Sequence, residues 1–128
     1  MGGVISGVLN ILNSRRLLKI ATFQTYSRQF FFDDPDLKRI RRRIEFESAA
    51  DLAEEDLYLY CGFFEQLGLF VKKGLVHYRL VKEIMGSYIT EAHADARVHA
   101  FLDRKTLERN DNYAEFIKLA ERISLEGG

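Results

Sequence analysis

Apolar residues recur at intervals of three and four along most of the chain, and the pattern predicts helices rather than strands. From Val4 to Phe32 the spacing runs through Val8, Ile11, Leu12, Leu18, Ala21, Tyr26 and Phe30. The triplet Phe30-Phe31-Phe32 leads into Asp33-Asp34-Pro35-Asp36. There Asp34 is suited to cap a new helix whose first residue is Pro35, and Asp36 complements the helix dipole. This second helix shows Leu37, Ile40, Ile44 and Phe46 on one side and Lys38, Arg39, Arg41, Arg42 and Arg43 around the rest.

A third helix is expected behind Ser48 and Asp51, a pair spaced like a capping box, with Glu54, Glu55 and Asp56 in its first turns. Its stretch from Leu57 to Val71 is apolar almost all round, which predicts a central position. Lys72-Lys73-Gly74 supplies cations and a left-handed stop. Leu80, Val81, Ile84 and Met85 then predict a short fourth helix ending near Gly86. A fifth is expected from Ser87 to Leu107, with a ridge of Ala92, Ala96 and Ala100, and a sixth from Tyr113 to Ile123 after the break Asn110-Asp111-Asn112. No two alternating β-branched runs flank a tight turn. The expected fold is therefore all-α: a small bundle of five or six helices in a single domain. Its parts are an N-terminal helical segment over 1–32 that docks on the bundle or lies at an interface, a core over 33–124 and a frayed tail over 125–128.

At 128 residues, with 47% hydrophobic residues, ten Phe and six Tyr, the chain has enough apolar material for one core. Nineteen basic and nineteen acidic side chains cancel, which removes a global field for nucleic acid or anionic lipid and leaves only local patches. The single cysteine, Cys61, has no internal disulfide partner, and no signal sequence is evident, so a cytoplasmic location is expected. The apolar start is interrupted by Asn10, Asn13, Arg15, Arg16 and Lys19 and is not expected to span a membrane. Met1-Gly2-Gly3-Val4-Ile5-Ser6 matches a short acylation pattern, but a flexible start to an ordinary helix is the preferred reading.

The run Phe63-Phe64-Glu65, Gly68, Val71-Lys72-Lys73-Gly74, followed by Gly86, Arg97 and Tyr113-x-x-Phe116, resembles a bacterial all-helical family described as a domain of unknown function. The resemblance covers a little over half the chain. It implies a small helical bundle, often preceded by a membrane helix in relatives, without an assigned activity or cofactor.

Candidate chemistry is sparse. Glu91, Asp95, His99 and Asp103 follow one another at intervals of four, a spacing that would permit a shared metal, but the partner motifs of helical metal sites are missing and a solvated or salt-bridged face is expected. Cys61 lies among apolar neighbours and reads as core. His77 has no nearby nucleophile to activate. Glu65, on the helix expected to be most buried, calls for a partner, and Arg97 is the preferred one, in a structural ion pair. Lys38, Arg39, Arg41, Arg42 and Arg43 form a possible interaction patch, flanked by acids that argue against a phosphate-binding surface.

No catalytic, metal or cofactor-binding set emerges, and the protein is not expected to be an enzyme. The expected role is a non-catalytic protein–protein interaction or regulatory module whose partner is another protein or a second copy of the chain. A nucleic-acid binder using the basic helix is the first alternative. A peripheral membrane protein using the N-terminal helix is the second.

Overall fold

A computed structural model describes residues 20, 21, 23–108 and 113–127. The Asn110-Asp111-Asn112 break, the acylation pattern, Gly128 and the apolar start before residue 20 lie outside them. Residues 23–27 are helical and run into a π-helical turn, Arg28–Phe32. Five α-helices follow: α1 (Pro35–Phe46), α2 (Glu54–Lys72), α3 (Tyr78–Ala94), α4 (Ala96–Leu107) and α5 (Ala114–Gly127). Among the described residues there is no strand, as the periodicity predicts. No described helix is long and apolar enough to cross a membrane.

The start of α1 follows its sequence signals. Asp34 Oδ2 accepts a hydrogen bond from the Leu37 N–H at 2.9 Å, and Pro35 occupies the first turn, where its missing N–H costs nothing. Leu37 and Ile40 are buried, whereas Phe46 is 77% exposed. The stop after α2 also forms as expected. Gly74 has φ 73°, a left-handed conformation suited to glycine, and Leu75 N–H donates to Phe70 O at 2.9 Å, closing the helix with a six-to-one bond.

The central position predicted for α2 holds. Tyr60, Cys61, Phe64 and Leu67 are fully buried in one hydrophobic core shared with Val81, Met85 and Ile89 of α3, Val98 and Phe101 of α4, and Phe116 and Ala120 of α5. Helix α5 packs against both α2 and α3. A Cβ added at Gly68 would meet Glu115 O at 2.8 Å, so only glycine lets α5 come this close to α2.

Four expectations change. Gly86 does not end a helix: it is buried inside α3, with Ile123 Cγ2 3.7 Å from where its Cβ would lie, and packing overrides its low propensity. The chain breaks instead at Asp95, which has ψ 130° and whose carboxylate accepts from the N–H groups of Arg97 and Val98. That break divides the predicted alanine ridge, leaving Ala92 buried and Ala96 and Ala100 exposed.

Ser48 and Asp51 do not cap α2. They lie in the segment before it, and Ala53 is its N-cap, without a side-chain bond. The last helix extends through Gly127 because Glu126 is gripped by Tyr78, Lys82 and Arg122. In the described part of the N-terminal segment, Phe23 and Phe31 are both fully buried in the core.

Candidate functional site

The π-helical turn gives the three consecutive phenylalanines separate destinations. Phe31 is buried against Phe63, Phe64, Tyr60 and Tyr88, with ring centroids 5.1–6.0 Å apart. Phe32 meets Tyr88 at 5.5 Å, and Phe30 remains 51% exposed. One turn earlier, Tyr26 stacks on Phe63 at 5.2 Å and meets Phe70 edge-on at 5.3 Å. Burial pushes the Tyr26 hydroxyl up to about 12.

A shallow groove results, lined by Tyr26, Phe30, Asp34, Leu37, Leu59 and Phe63. Leu59, which with Phe63 forms the α2 side of this groove, is 46% exposed. Apolar residues this open, adjoining one another, form a surface suited to another apolar element.

The expected basic patch is divided by the fold. Arg39 forms a two-pronged bond to Asp56, at 2.9 and 2.8 Å, which joins α1 to the start of α2 and holds the Asp56 carboxyl below its usual range. Arg41 turns inward, its guanidinium 5.2–5.5 Å from the rings of Phe31, Phe32 and Tyr88. Its Nη1 is buried and has no hydrogen-bond partner among the described residues. Arg43 is half-buried, leaving Lys38 and Arg42 as the exposed members not drawn into a bond.

The expected Glu65–Arg97 ion pair does not form. Glu65 Oε1 accepts the Phe116 N–H at 2.9 Å, so it serves the first turn of α5, where orphan amides need acceptors. Burial raises the Glu65 carboxyl, and the backbone bonds from Phe116 and Glu115 oppose that shift. Arg97 is engaged by other partners. It pairs with Asp95 at 2.7 Å and donates to the carbonyl oxygens of Arg43, Glu47 and Ala50, closing the segment between α1 and α2. Burial pushes the Asp95 carboxyl up, but the bonds from Arg97 and from two backbone amides outweigh it and leave it below the usual range.

The predicted acid–histidine stripe is broken at Asp95, whose carboxylate is taken by Arg97 and the cap of α4. His99 keeps an i,i+4 contact with Asp103 at 3.4 Å. His93 sits instead beside Phe116 and His99, with centroids 6.0 and 6.2 Å away. Cys61 is buried, and its thiol is pushed up to about 12 by that burial, so it is held as a protonated core residue.

The amino end of α2 is tied to the carboxyl end of α4. Arg104 reaches both Glu54 oxygens at 2.8 and 2.9 Å, and Lys105 lies over the Tyr58 ring at 4.7 Å. Sequence reasoning missed the partners of Asp56 and Arg41 and passed over Lys105, because each is explained by a neighbour on another element. The open surface beside Leu59 had a trace in the sequence, namely an α2 more apolar than one face requires.

The chain matches the family described as Domain of unknown function (DUF4760) over residues 1–123, and it therefore belongs to that family. No curated protein and no solved structure matches it.

Proposed function

From a family described as a domain of unknown function the chain inherits no activity, and we propose from its geometry that it is a non-catalytic module that binds a helix of another polypeptide along the outer side of α2. The observation that carries this reading is the groove bounded by Tyr26, Phe30, Leu37, Leu59 and Phe63, with Phe30 and Leu59 about half exposed. An amphipathic helix laid there would bury apolar side chains at helical spacing.

The nucleic-acid alternative draws less support. Arg39 is engaged by Asp56 and Arg41 by three rings, so the basic helix presents only part of its charge. Membrane association through the first residues concerns a segment outside the described part of the chain.

Photo-crosslinking in the cells of origin tests the binding reading. A photoreactive side chain at position 59 is expected to give adducts with a polypeptide, and one at the exposed position Glu83 is expected to give none. No adduct at 59, or the same adducts at both positions, overturns it.

A further inference from the structure

The outward side of α2 and its C-cap carry a six-residue stripe at alternating steps of four and three: Glu55, Leu59, Gly62, Gln66, Leu69 and, at the cap, Lys73. All six are exposed or partly exposed. The stripe is about 27 Å long at the helical rise per residue. It lies between the flank where Phe63 and Phe70 meet Tyr26 and the flank where Gly68 and Lys72 meet Glu115 of α5.

Three features of this stripe are unexplained by the described residues of one copy. Glycine inside a helix costs about 1 kcal/mol relative to alanine, yet a Cβ at Gly62 would meet nothing within 4 Å. Gly68, on the flank of the same helix that faces α5, is required by that contact, whereas Gly62 is required by no contact among the described residues. The acids beside Glu55 are used, Glu54 by Arg104 and Asp56 by Arg39, but among the described residues neither Glu55 nor Lys73 has an ion-pair partner. Leu59 and Leu69, placed evenly between the ends and the middle, present apolar side chains on the outer side of the helix.

Read from either end, the stripe is complementary to itself. Turned end for end about a two-fold axis level with residue 64, it sets Glu55 against Lys73 of the second copy, Leu59 against its Leu69, and Gly62 against its Gln66. The four-three alternation is the one by which facing helices interdigitate, and in an antiparallel pair each position meets its counterpart of the other register, as these three pairs do. The absent Cβ at Gly62 leaves room for the Gln66 side chain opposite. A parallel arrangement would instead bring Glu55 onto Glu55 and Lys73 onto Lys73.

We infer that the occupant of this surface is a second copy of the chain, docked through an antiparallel, two-fold packing of α2 on α2. The inference rests on the reading of α2 as a helix-binding surface and specifies its partner and register.

Sedimentation equilibrium of the full chain tests it, with Glu55→Lys and Lys73→Glu measured separately and as an equimolar mixture. Both residues are exposed at the surface, so both variants are expected to fold, which circular dichroism checks. The wild type should form dimers. Each variant alone faces two like-charge contacts and should dissociate about tenfold more readily. The mixture restores both opposite-charge contacts and should recover the wild-type dissociation constant. A disulfide should also form when Gly62→Cys and Gln66→Cys chains are mixed under oxidation.

A dimer indifferent to these charges, or a mixture no stronger than its components, overturns the α2 pairing. So does a wild-type monomer. If position 59 crosslinks to a different polypeptide, the pairing falls while the binding role stands. If position 59 crosslinks to nothing, both fall.

Discussion

Arg97 Nη2 lies 2.7 Å from Asp95 Oδ2, two residues earlier in the chain, and the same guanidinium donates to the carbonyls of Arg43, Glu47 and Ala50. One side chain thus joins the α3–α4 break to the α1–α2 connection. Replacing it with alanine removes the counter-charge of the half-buried Asp95 carboxylate and the donor of Ala50 O, while Arg43 O and Glu47 O keep their backbone bonds, and should cost about 2 kcal/mol in urea or guanidinium unfolding. Arg97→Lys should recover little, because an ammonium cannot reproduce the planar fork. A loss below about 0.5 kcal/mol, the scale of an ordinary surface substitution, would show that the clamp is not structural.

Gly68 and Gly62, six residues apart on α2, should respond to alanine in opposite directions. Gly68→Ala drives a methyl group into the Glu115 backbone at 2.8 Å and should destabilise the fold by about 2 kcal/mol. Gly62→Ala meets open space and should raise the stability of the single chain by about 0.5–1 kcal/mol through helix propensity. Denaturation at a concentration where the protein is monomeric checks both signs.

Acid should weaken the fold through His93. Burial holds this imidazole below its ordinary value of 6.5, with Glu121 opposing the shift and His99 adding to it. The unfolded chain therefore binds the proton more readily, so the stability contributed by this group is present above about pH 6.5 and is lost as the pH falls through the lowered folded value. Glu65, whose carboxyl is raised above 4.5 by burial, acts in the opposite sense: its contribution is present below that value and is lost as the pH rises through its folded value. Asp56 and Asp95, both lowered, lose their contributions as the pH falls below their unfolded value of 3.8. Thermal melts between roughly pH 7.5 and pH 5 should show a falling Tm that His93→Gln flattens. An unchanged slope in the variant would remove His93 from this role.

The thiol of Cys61 should resist modification in the native state. It is buried and pushed up to about 12, so maleimide labelling should be slow in buffer and fast in denaturant. Rapid native labelling would mean that α2 opens readily to water.

The basic helix should not retain nucleic acid. With Arg39 bonded to Asp56 and Arg41 packed among rings, the chain should elute from a DNA or RNA column at about 0.1 M salt. Retention that depends on salt and disappears in Arg39→Glu, Arg42→Glu and Arg43→Glu variants would favour the nucleic-acid reading.

The elements marked by local chemistry were legible in the chain. Asp34-Pro35 starts α1, Lys72-Lys73-Gly74 stops α2, and the dense aromatic run of α2 sits at the centre. The first two rest on bonds within a few residues, and the third on a composition too apolar for an outer helix. Gly86 misled because its helix is held by Ile123 across the bundle, a contact invisible to local propensity. Asp95 was hidden for the converse reason: an acid at helical spacing from Glu91 and His99 looks like one more turn until its carboxylate is seen bonding ahead to Arg97. Glu65 was rightly read as needing a partner, but the partner is a backbone amide of α5, which carries no side-chain signature. The open stripe was out of reach because α2 is apolar all round, and periodicity alone does not say which side its neighbours cover.

The π-helical turn at Arg28–Phe32 holds one residue more than an ordinary helical turn would. Removing a single residue there would let the backbone relax to the common winding with the upstream phase nearly kept, because five residues of the wide turn advance about as far around the axis as four of an ordinary helix. Phe23 and Tyr26 would go on facing the bundle. The surplus amino acid is slack in the winding, and losing it should do less harm than losing a residue from within an α-helix, which would turn the upstream positions by about 100°.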